Sequence, residues 1–354
     1  MSVNAASVAR KVELCLISGK RIEFANDIKY FWAMWLEAVP HIKQLEWPLA
    51  RLDSKKQQIL AMRPLPAAAI HRIQETLSLE WTYNSNSIEG NTLTLMETRA
   101  VLEDGITIKG KSLREHFEAV NHHEAIDWVS MLAKPGFVFS EATVLDVHAL
   151  VLDKIEKEFA GRYRNGAVRI TGANFIPPNA LKVPDLMAEL ISWLNENPAD
   201  LHPLQLATLF HHRFVHIHPF FDGNGRTIRL LFNLLLMREG YPPAIILRND
   251  RKKYYVALNQ ADEGNFEKLA LLMSQALERS LDIYLSCLTD RADEYDSLSN
   301  IAQDEGVPYN QEYLGLLART GKIDAYKEGR VWYTSKAALQ EYFDNRKRRR
   351  ILNR

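Results

Sequence analysis

The chain has 354 residues, 47% hydrophobic and 25% charged, and its 44 basic and 44 acidic side chains leave no formal net charge. That length supports a large buried core and two or three domains, while the charge balance excludes a global attraction to polyanions, so any nucleic-acid contact must come from a local patch. With only Cys15 and Cys287, far apart, and no run of roughly 18 apolar residues or signal-peptide core, the chain reads as a soluble protein of a reducing compartment, the cytoplasm by default, without a disulfide framework.

Residues 1–65 show mixed helical patterns with Trp32, Trp35 and Trp47 and read as a helical N-terminal extension without recognisable chemistry. At 85–91 the stretch SNSIEGN reads, by itself, as the polar end of a helix, with Gly90 as its stop and Asn and Ser as caps. Residues 161–177 (GRYRNGAVRITGANFIP) alternate around Val168 and Ile170 between glycines, the pattern of a short hairpin. Leu186, Leu190, Ile191 and Leu194 follow helical spacing, as does most of the chain. The apolar segment LATLFHHRFVHIH carries His211, His212 and His216; with no cysteine or glutamate at matching spacing they read as packing histidines, not zinc ligands.

Residues 218–229, HPFFDGNGRTIR, concentrate the chemistry. They hold a neutral imidazole able to accept a proton near pH 7 (His218), a hard oxygen ligand suited to Mg²⁺ (Asp222), two glycines that let an anion approach backbone N–H groups (Gly223 and Gly225), and two guanidiniums (Arg226 and Arg229). Residues 227–237, TIRLLFNLLLM, then predict a buried helix, which would present its N-terminus to the anion. Arg226 and Arg229, three apart, can point to the same phosphates and bind them bidentately. A lone Asp-Gly-Asn-Gly is ordinarily a turn; the surrounding charges and the helix that follows favour a triphosphate site.

Downstream, Tyr254 and Tyr255 on a helix face read as core residues. After the acidic, helix-breaking segment TDRADEYDS the character changes to a short helix, a glycine turn, a second helix over 309–319 and a Gly-Lys-Ile…Arg-Val-Trp-Tyr hairpin. That layout resembles the winged helix-turn-helix domains of excisionase type. It allows DNA binding, helped by the basic tail Arg346, Lys347, Arg348, Arg349 and Arg350, or protein docking and homodimerisation; Glu312 on the recognition helix favours docking.

The pattern His-x-Phe-x-Asp/Glu-Gly-Asn-Gly-Arg-x-x-Arg is the signature of the Fic family, and residues 218–229 match each fixed position. The resemblance implies a mainly α fold, a helical Fic core with a short β-hairpin flap, plus the small C-terminal winged helix-turn-helix-like domain. It implies a protein adenylyltransferase that takes ATP and Mg²⁺ and moves AMP to a Ser, Thr or Tyr hydroxyl of a protein, itself included. By resemblance His218 is the general base, Asp222 holds Mg²⁺, Gly223, Asn224 and Gly225 line the anion hole, Arg226 and Arg229 take the β- and γ-phosphates, and Phe220 anchors the loop. Ser85, Glu89 and Gly90 fit the inhibitory-helix motif of many relatives, in which the glutamate pairs with the second arginine, here Arg229. Ile176 and Pro177 fall in the target-docking flap, and Tyr254, Tyr255 and Asp262 where the family places its adenine pocket; Asp262 stands where at least one branch has asparagine, which leaves other nucleotides open.

The expected domains are 1–65, a catalytic core over 66–288 with the inhibitory helix near 78–91, the winged unit over 296–345, and the basic tail 346–354. Three alternatives remain at this stage: a DNA-binding regulator with the core as nucleotide sensor, removal of AMP from a target with Glu89 aligning water, and a Doc-like phosphotransferase, against which Gly225 keeps the AMP-transferring pattern.

Overall fold

The computed structural model describes residues 38–344 except Pro64, Pro66, Asn174, 289–294, Glu305, Gly329 and Glu341. Most of the expected N-terminal extension, including Trp32 and Trp35, and the basic tail therefore lie outside the described residues. Among the described residues, the helices of the main body include α1 (Leu49–Ala61), α2 (Ala67–Ile88), α3 (Leu95–Glu103), α4 (Leu113–Leu132), α5 (Glu141–Val151), α6 (Val183–Glu196), α7 (Pro203–Ile217), α8 (Asn224–Arg238), α9 (Arg251–Asp262) and α10 (Glu267–Leu288).

Local chemistry sets these boundaries. Thr94 with Glu97 and Ser112 with Glu115 close reciprocal capping boxes at the starts of α3 and α4, and His202 with Gln205 does the same for α7 behind Pro203. Asn197, in the left-handed region, ends α6, whose buried Leu186, Leu190, Ile191 and Leu194 confirm the helical spacing read from the sequence.

The central element is α8. It is buried on every side from Arg226 to Leu236 and packs against α7, α5, α4 and α2, which explains why its sequence is apolar all round rather than striped. α7 and α8 form a helical hairpin, so the connecting residues 218–223 emerge at one end of the core with the N-terminus of α8 facing them. α2 lies across the same end, and α10 runs beneath α1, α2, α7 and α9.

Beyond α10 a small unit has its own core of Leu298, Ile301, Leu314, Leu317, Ile323 and Leu339. It comprises β1 (Tyr295–Ser297), α11 (Leu298–Ile301), α12 (Gln311–Arg319), β2 (Ala325–Glu328) and β3 (Val331–Ser335), with the antiparallel sheet in the order β1-β3-β2. The helix pair and hairpin occur in the expected order; strand β1, pairing Tyr295 with Ser335, had no sequence signal. This unit is fastened to the body by a buried lysine. Lys55 Nζ on α1 lies 2.5 Å from Asp282 and 3.1 Å from Glu278 on α10, and 2.6 Å from Asp324 just before β2. Arg51 adds a 2.5 Å contact to Glu278, and the Tyr295 hydroxyl donates to Asp324 at 2.8 Å.

The expected hairpin over 161–177 takes another form. The chain reverses at Thr171 and Gly172, with Ala173 N–H bonded to the Ile170 carbonyl, but its described arms form no strand ladder. Arg164 explains this: its guanidinium donates to the carbonyls of Gly166, Pro178, Ile217 and His218, and Pro177 and Pro178 have no N–H to offer a partner strand. The flap is an extended loop, held at its base by Arg164 and at its tip by Asn259, whose Nδ2 donates to the Gly172 carbonyl at 2.9 Å.

Candidate active site

His218 caps α7 with a left-handed backbone, φ +50°, an uncommon conformation for a residue with a Cβ. Two bonds hold it there: its N–H reaches the Phe214 carbonyl at 2.9 Å, and its own carbonyl accepts from Arg164 Nε at 2.8 Å. Burial, reinforced by the nearby Arg164 charge, brings the imidazole pKa down to about 4, so the ring is neutral and able to accept a proton at neutral pH.

The loop after His218 is anchored inward. Phe220 is fully buried and stacks on His148 of α5, ring centroids 3.5 Å apart. His148 Nδ1 accepts from Gly161 N–H at 3.0 Å, so its Nε2 carries the proton and donates to the Asp222 carbonyl, also at 3.0 Å. Burial lowers this imidazole to about 4 as well. A Cβ at Gly223 (φ +77°) would press on the His148 ring at 3.3 Å, so glycine is needed for both conformation and close approach. The Asn224 side chain is used within the loop: Oδ1 accepts from Phe220 N–H at 3.0 Å and Nδ2 donates to the Phe220 carbonyl at 2.8 Å. Its side chain thus braces the loop, and its backbone N–H at the start of α8 points toward the anion hole expected of it.

Past the glycines, α8 presents Arg226 and Arg229, both buried. Arg226 lies 3.2 Å from Glu118 and 3.4 Å from Asp222. The half-exposed Asp222 carboxylate also meets Arg114 at 2.5 Å. Arg229 is held on three sides: Nε donates to Ser85 Oγ at 3.0 Å, Nη2 to the Ser85 carbonyl at 2.8 Å, and Nη1 lies 2.8 Å from Glu89 Oε1. Burial alone would lower this guanidinium's pKa; the Glu89 carboxylate outweighs it and raises the pKa.

Glu89 sits in the turn that ends α2, with its N–H on the Asn86 carbonyl and Gly90 at φ +105° beyond it. The 85–91 segment is thus a helix terminus, as its polar composition implied, and that terminus lies directly on α8. A Cβ at Gly225 would collide with the Glu89 carboxylate. The carboxylate therefore covers the first turn of α8, where the N–H groups and the helix dipole favour negative charge.

Tyr254 is buried, its hydroxyl 2.9 Å from His211 Nε2, and offers no open ring face to a base; burial raises its pKa. Tyr255 lies under Arg251, which donates to the Ile88 carbonyl at 2.6 Å, so this pair braces the end of α2. Asp262 Oδ1 lies 2.8 Å from His212 Nε2 and 3.4 Å from His216 Nδ1, and Phe175 of the flap stacks on His216 at 4.0 Å. These histidines are packing and flap-bracing groups, and among the described residues no cluster of three or more His, Cys, Asp or Glu could hold a metal. Ile176 is 71% exposed on the flap while Pro177 is buried.

Sequence reasoning missed Arg114, Glu118, His148 and Arg164. Each acts on the site through contacts distant in sequence, and none lies in a motif. Among the described residues, no helix is long and apolar enough to cross a membrane.

Comparison with known proteins agrees with this geometry. Residues 138–236, which contain α7, the loop and most of α8, match the model of the Fic/DOC family. The chain is 37% identical over 255 residues to a protein adenylyltransferase Fic of Nematostella vectensis, covering 71% of this chain and 59% of that one. A second protein adenylyltransferase Fic, from Drosophila erecta, is 34% identical over 283 residues, covering 79% of this chain and 57% of its own. Among solved structures, Fic-1 of C. elegans superposes with a TM-score of 0.62 at 31% identity, covering 68% of this chain and 72% of that one. The chain thus spans less than two thirds of these two curated relatives and more than two thirds of the solved one.

Proposed function

This chain belongs to the Fic/DOC family, and on that premise we propose that it is a self-inhibited protein adenylyltransferase that moves AMP from ATP to a Ser, Thr or Tyr hydroxyl of a protein, itself included. The observation that carries this reading is the convergence of a neutral imidazole, a hard carboxylate and two buried guanidiniums on the glycine-lined N-terminus of α8.

In the reaction the target oxygen attacks the α-phosphorus and its proton passes to His218. The bond from that phosphorus to the bridging oxygen breaks, and pyrophosphate leaves. Help of this kind from a general base is worth roughly 10²- to 10⁴-fold. Arg226 and Arg229 hold the terminal phosphates, and the backbone N–H groups of 223–225 receive the non-bridging oxygens. The residues fit Mg²⁺: Asp222 is a hard oxygen donor at the phosphate end, and Mg²⁺ commonly takes one or two protein carboxylates together with substrate phosphates. When bound, the ion would neutralise the phosphate charge.

Glu89 holds the enzyme off, because it occupies the guanidinium that a γ-phosphate needs and the surface where that phosphate would approach α8. The exposed Ile176 would register the target, with the buried Pro177 fixing the flap behind it, and Asp262 with its two histidines would bear on the base subsite indirectly, by positioning the flap. For the C-terminal unit we favour protein docking over DNA binding, since the exposed face of α12 mixes Gln311, Glu312 and Arg319.

The test uses purified wild type, Glu89→Gly and Glu89→Gly/His218→Ala with Mg²⁺ and ATP labelled at the α- or γ-phosphate, read as label on protein together with intact mass. Strong α-label in Glu89→Gly, weak label in wild type and none in the double variant are expected. Transfer of γ-label, or of neither label even with lysate as target, overturns the reading.

A further inference from the structure

Arg114 of α4 was announced by no motif, yet it sits on the carboxylate assigned to the metal. Its Nη2 lies 2.5 Å from Asp222 Oδ2, its Nη1 3.0 Å from Glu156 and its Nε 3.3 Å from Glu118. One guanidinium is thus shared among three carboxylates. Arg226, the other cation near Asp222, is farther away at 3.4 Å and is itself engaged by Glu118 at 3.2 Å. Arg114 is therefore the principal counter-ion of Asp222.

The pair is built to exchange. The Arg114 side chain is 47% exposed and that of Asp222 39%, so water screens their attraction and the contact is weak compared with a buried pair. If Asp222 is taken by another cation, Arg114 still has Glu156 and Glu118, and no charge is left buried without a partner. Glu118 is in turn fixed by Asn91, whose Nδ2 donates to it at 2.9 Å. The acid that retains Arg114 therefore anchors the residue two positions beyond Glu89.

Resting on the nucleotide-transfer reading, we propose that Arg114 is a positioning residue that serves as an exchangeable counter-ion. It neutralises and orients Asp222 until a divalent cation takes the carboxylate, and Glu156 with Glu118 then holds the guanidinium aside. Arg114 and the metal compete for one carboxylate, so the affinity of the site for Mg²⁺ is set partly by how firmly Glu156 draws Arg114 away.

The test measures binding rather than turnover. In the full-length Glu89→Gly protein, ATP affinity is measured by calorimetry over a series of Mg²⁺ concentrations, alone and with Arg114→Gln or Glu156→Gln added; circular dichroism verifies folding. Arg114→Gln should lower the Mg²⁺ concentration that gives the half-maximal gain in ATP affinity by roughly two- to fivefold, the range of an exposed ion pair, and Glu156→Gln should raise it by a similar factor. An unmoved Mg²⁺ midpoint in both variants overturns the proposal. So does an equal loss of ATP affinity in Arg114→Gln at every Mg²⁺ concentration, which would make Arg114 a phosphate ligand. If Arg114→Gln does not fold, the direction of the Glu156→Gln shift decides. Absence of ATP binding by Glu89→Gly at all Mg²⁺ concentrations overturns the nucleotide-transfer reading as well, whereas binding with an unmoved midpoint overturns this inference alone.

Discussion

The Glu89 carboxylate lies over the Cα of Gly225, in the space that any larger side chain there would fill, and from that position it also pairs with Arg229 at 2.8 Å. One acidic group thus covers the first turn of α8 and occupies the Arg229 guanidinium together.

Glu89→Gly frees both. ATP affinity measured by calorimetry should rise roughly ten- to hundredfold, the worth of one or two hydrogen bonds to charged groups. Gly225→Ala also evicts the carboxylate, but it places a methyl group where phosphate must approach, so its ATP affinity should stay well below that of Glu89→Gly. Equal affinity in the two variants would show that Gly225 gives room to Glu89 alone.

His218, the proposed base, should titrate low. With the His218 pKa at about 4, a Glu89→Gly enzyme should keep its kcat/KM as pH falls past the ordinary histidine value near 6.5 and lose it only on approaching 4. A pH profile of AMP transfer, with folding followed in parallel, checks this. A limb centred near 6.5 would place a better-solvated group in the role of base.

Stability should fall with pH through the buried histidines, His148 and His218 among them. His148 and His218 titrate at about 4 in the folded protein and near 6.5 when unfolded, so the unfolded chain binds more protons between those values and stability falls as pH drops through that window. A shift of this size corresponds to about 3 kcal/mol per histidine. Urea midpoints measured from pH 7 to pH 4 should decline accordingly. His148→Gln should start lower, having lost its ring stack on Phe220, yet decline less.

Lys55→Met should loosen the C-terminal unit. It removes the cation that Glu278, Asp282 and Asp324 share and leaves carboxylates buried without it, at a cost of about 3 to 5 kcal/mol. Limited proteolysis between α10 and β1 should release that unit faster than in wild type. Unchanged cleavage would mean that apolar contacts carry the docking.

Helix patterning was legible because it is periodic and local: the leucines of 186–194 and the apolar run after residue 226 appear as buried faces of α6 and α8. The flap was half legible. Its reversal is local, but its lack of a strand ladder depends on where Arg164 sends its five N–H groups, and three of its partners lie on Pro178, Ile217 and His218. The partners of Tyr254 and Asp262 were not legible for a similar reason, since a side chain's position in the sequence does not say which histidine faces it.

By itself the sequence determined the Fic signature, because its twelve residues are consecutive and glycine, arginine and histidine have chemistry that spacing alone can align. It determined the helical core as well. Tertiary structure decided which distant polar and charged groups meet. Ser85 meets Arg229 across 144 positions, Arg114 meets Asp222 across 108, and Lys55 meets Asp324 across 269. Such pairs have no period or motif to betray them: the packing of α2 and α4 on α8 brings the first two together and that of α1 on α10 the third, and the buried Arg229 and Lys55 require partners where polarity is low, whereas the half-exposed Arg114 and Asp222 meet through position alone.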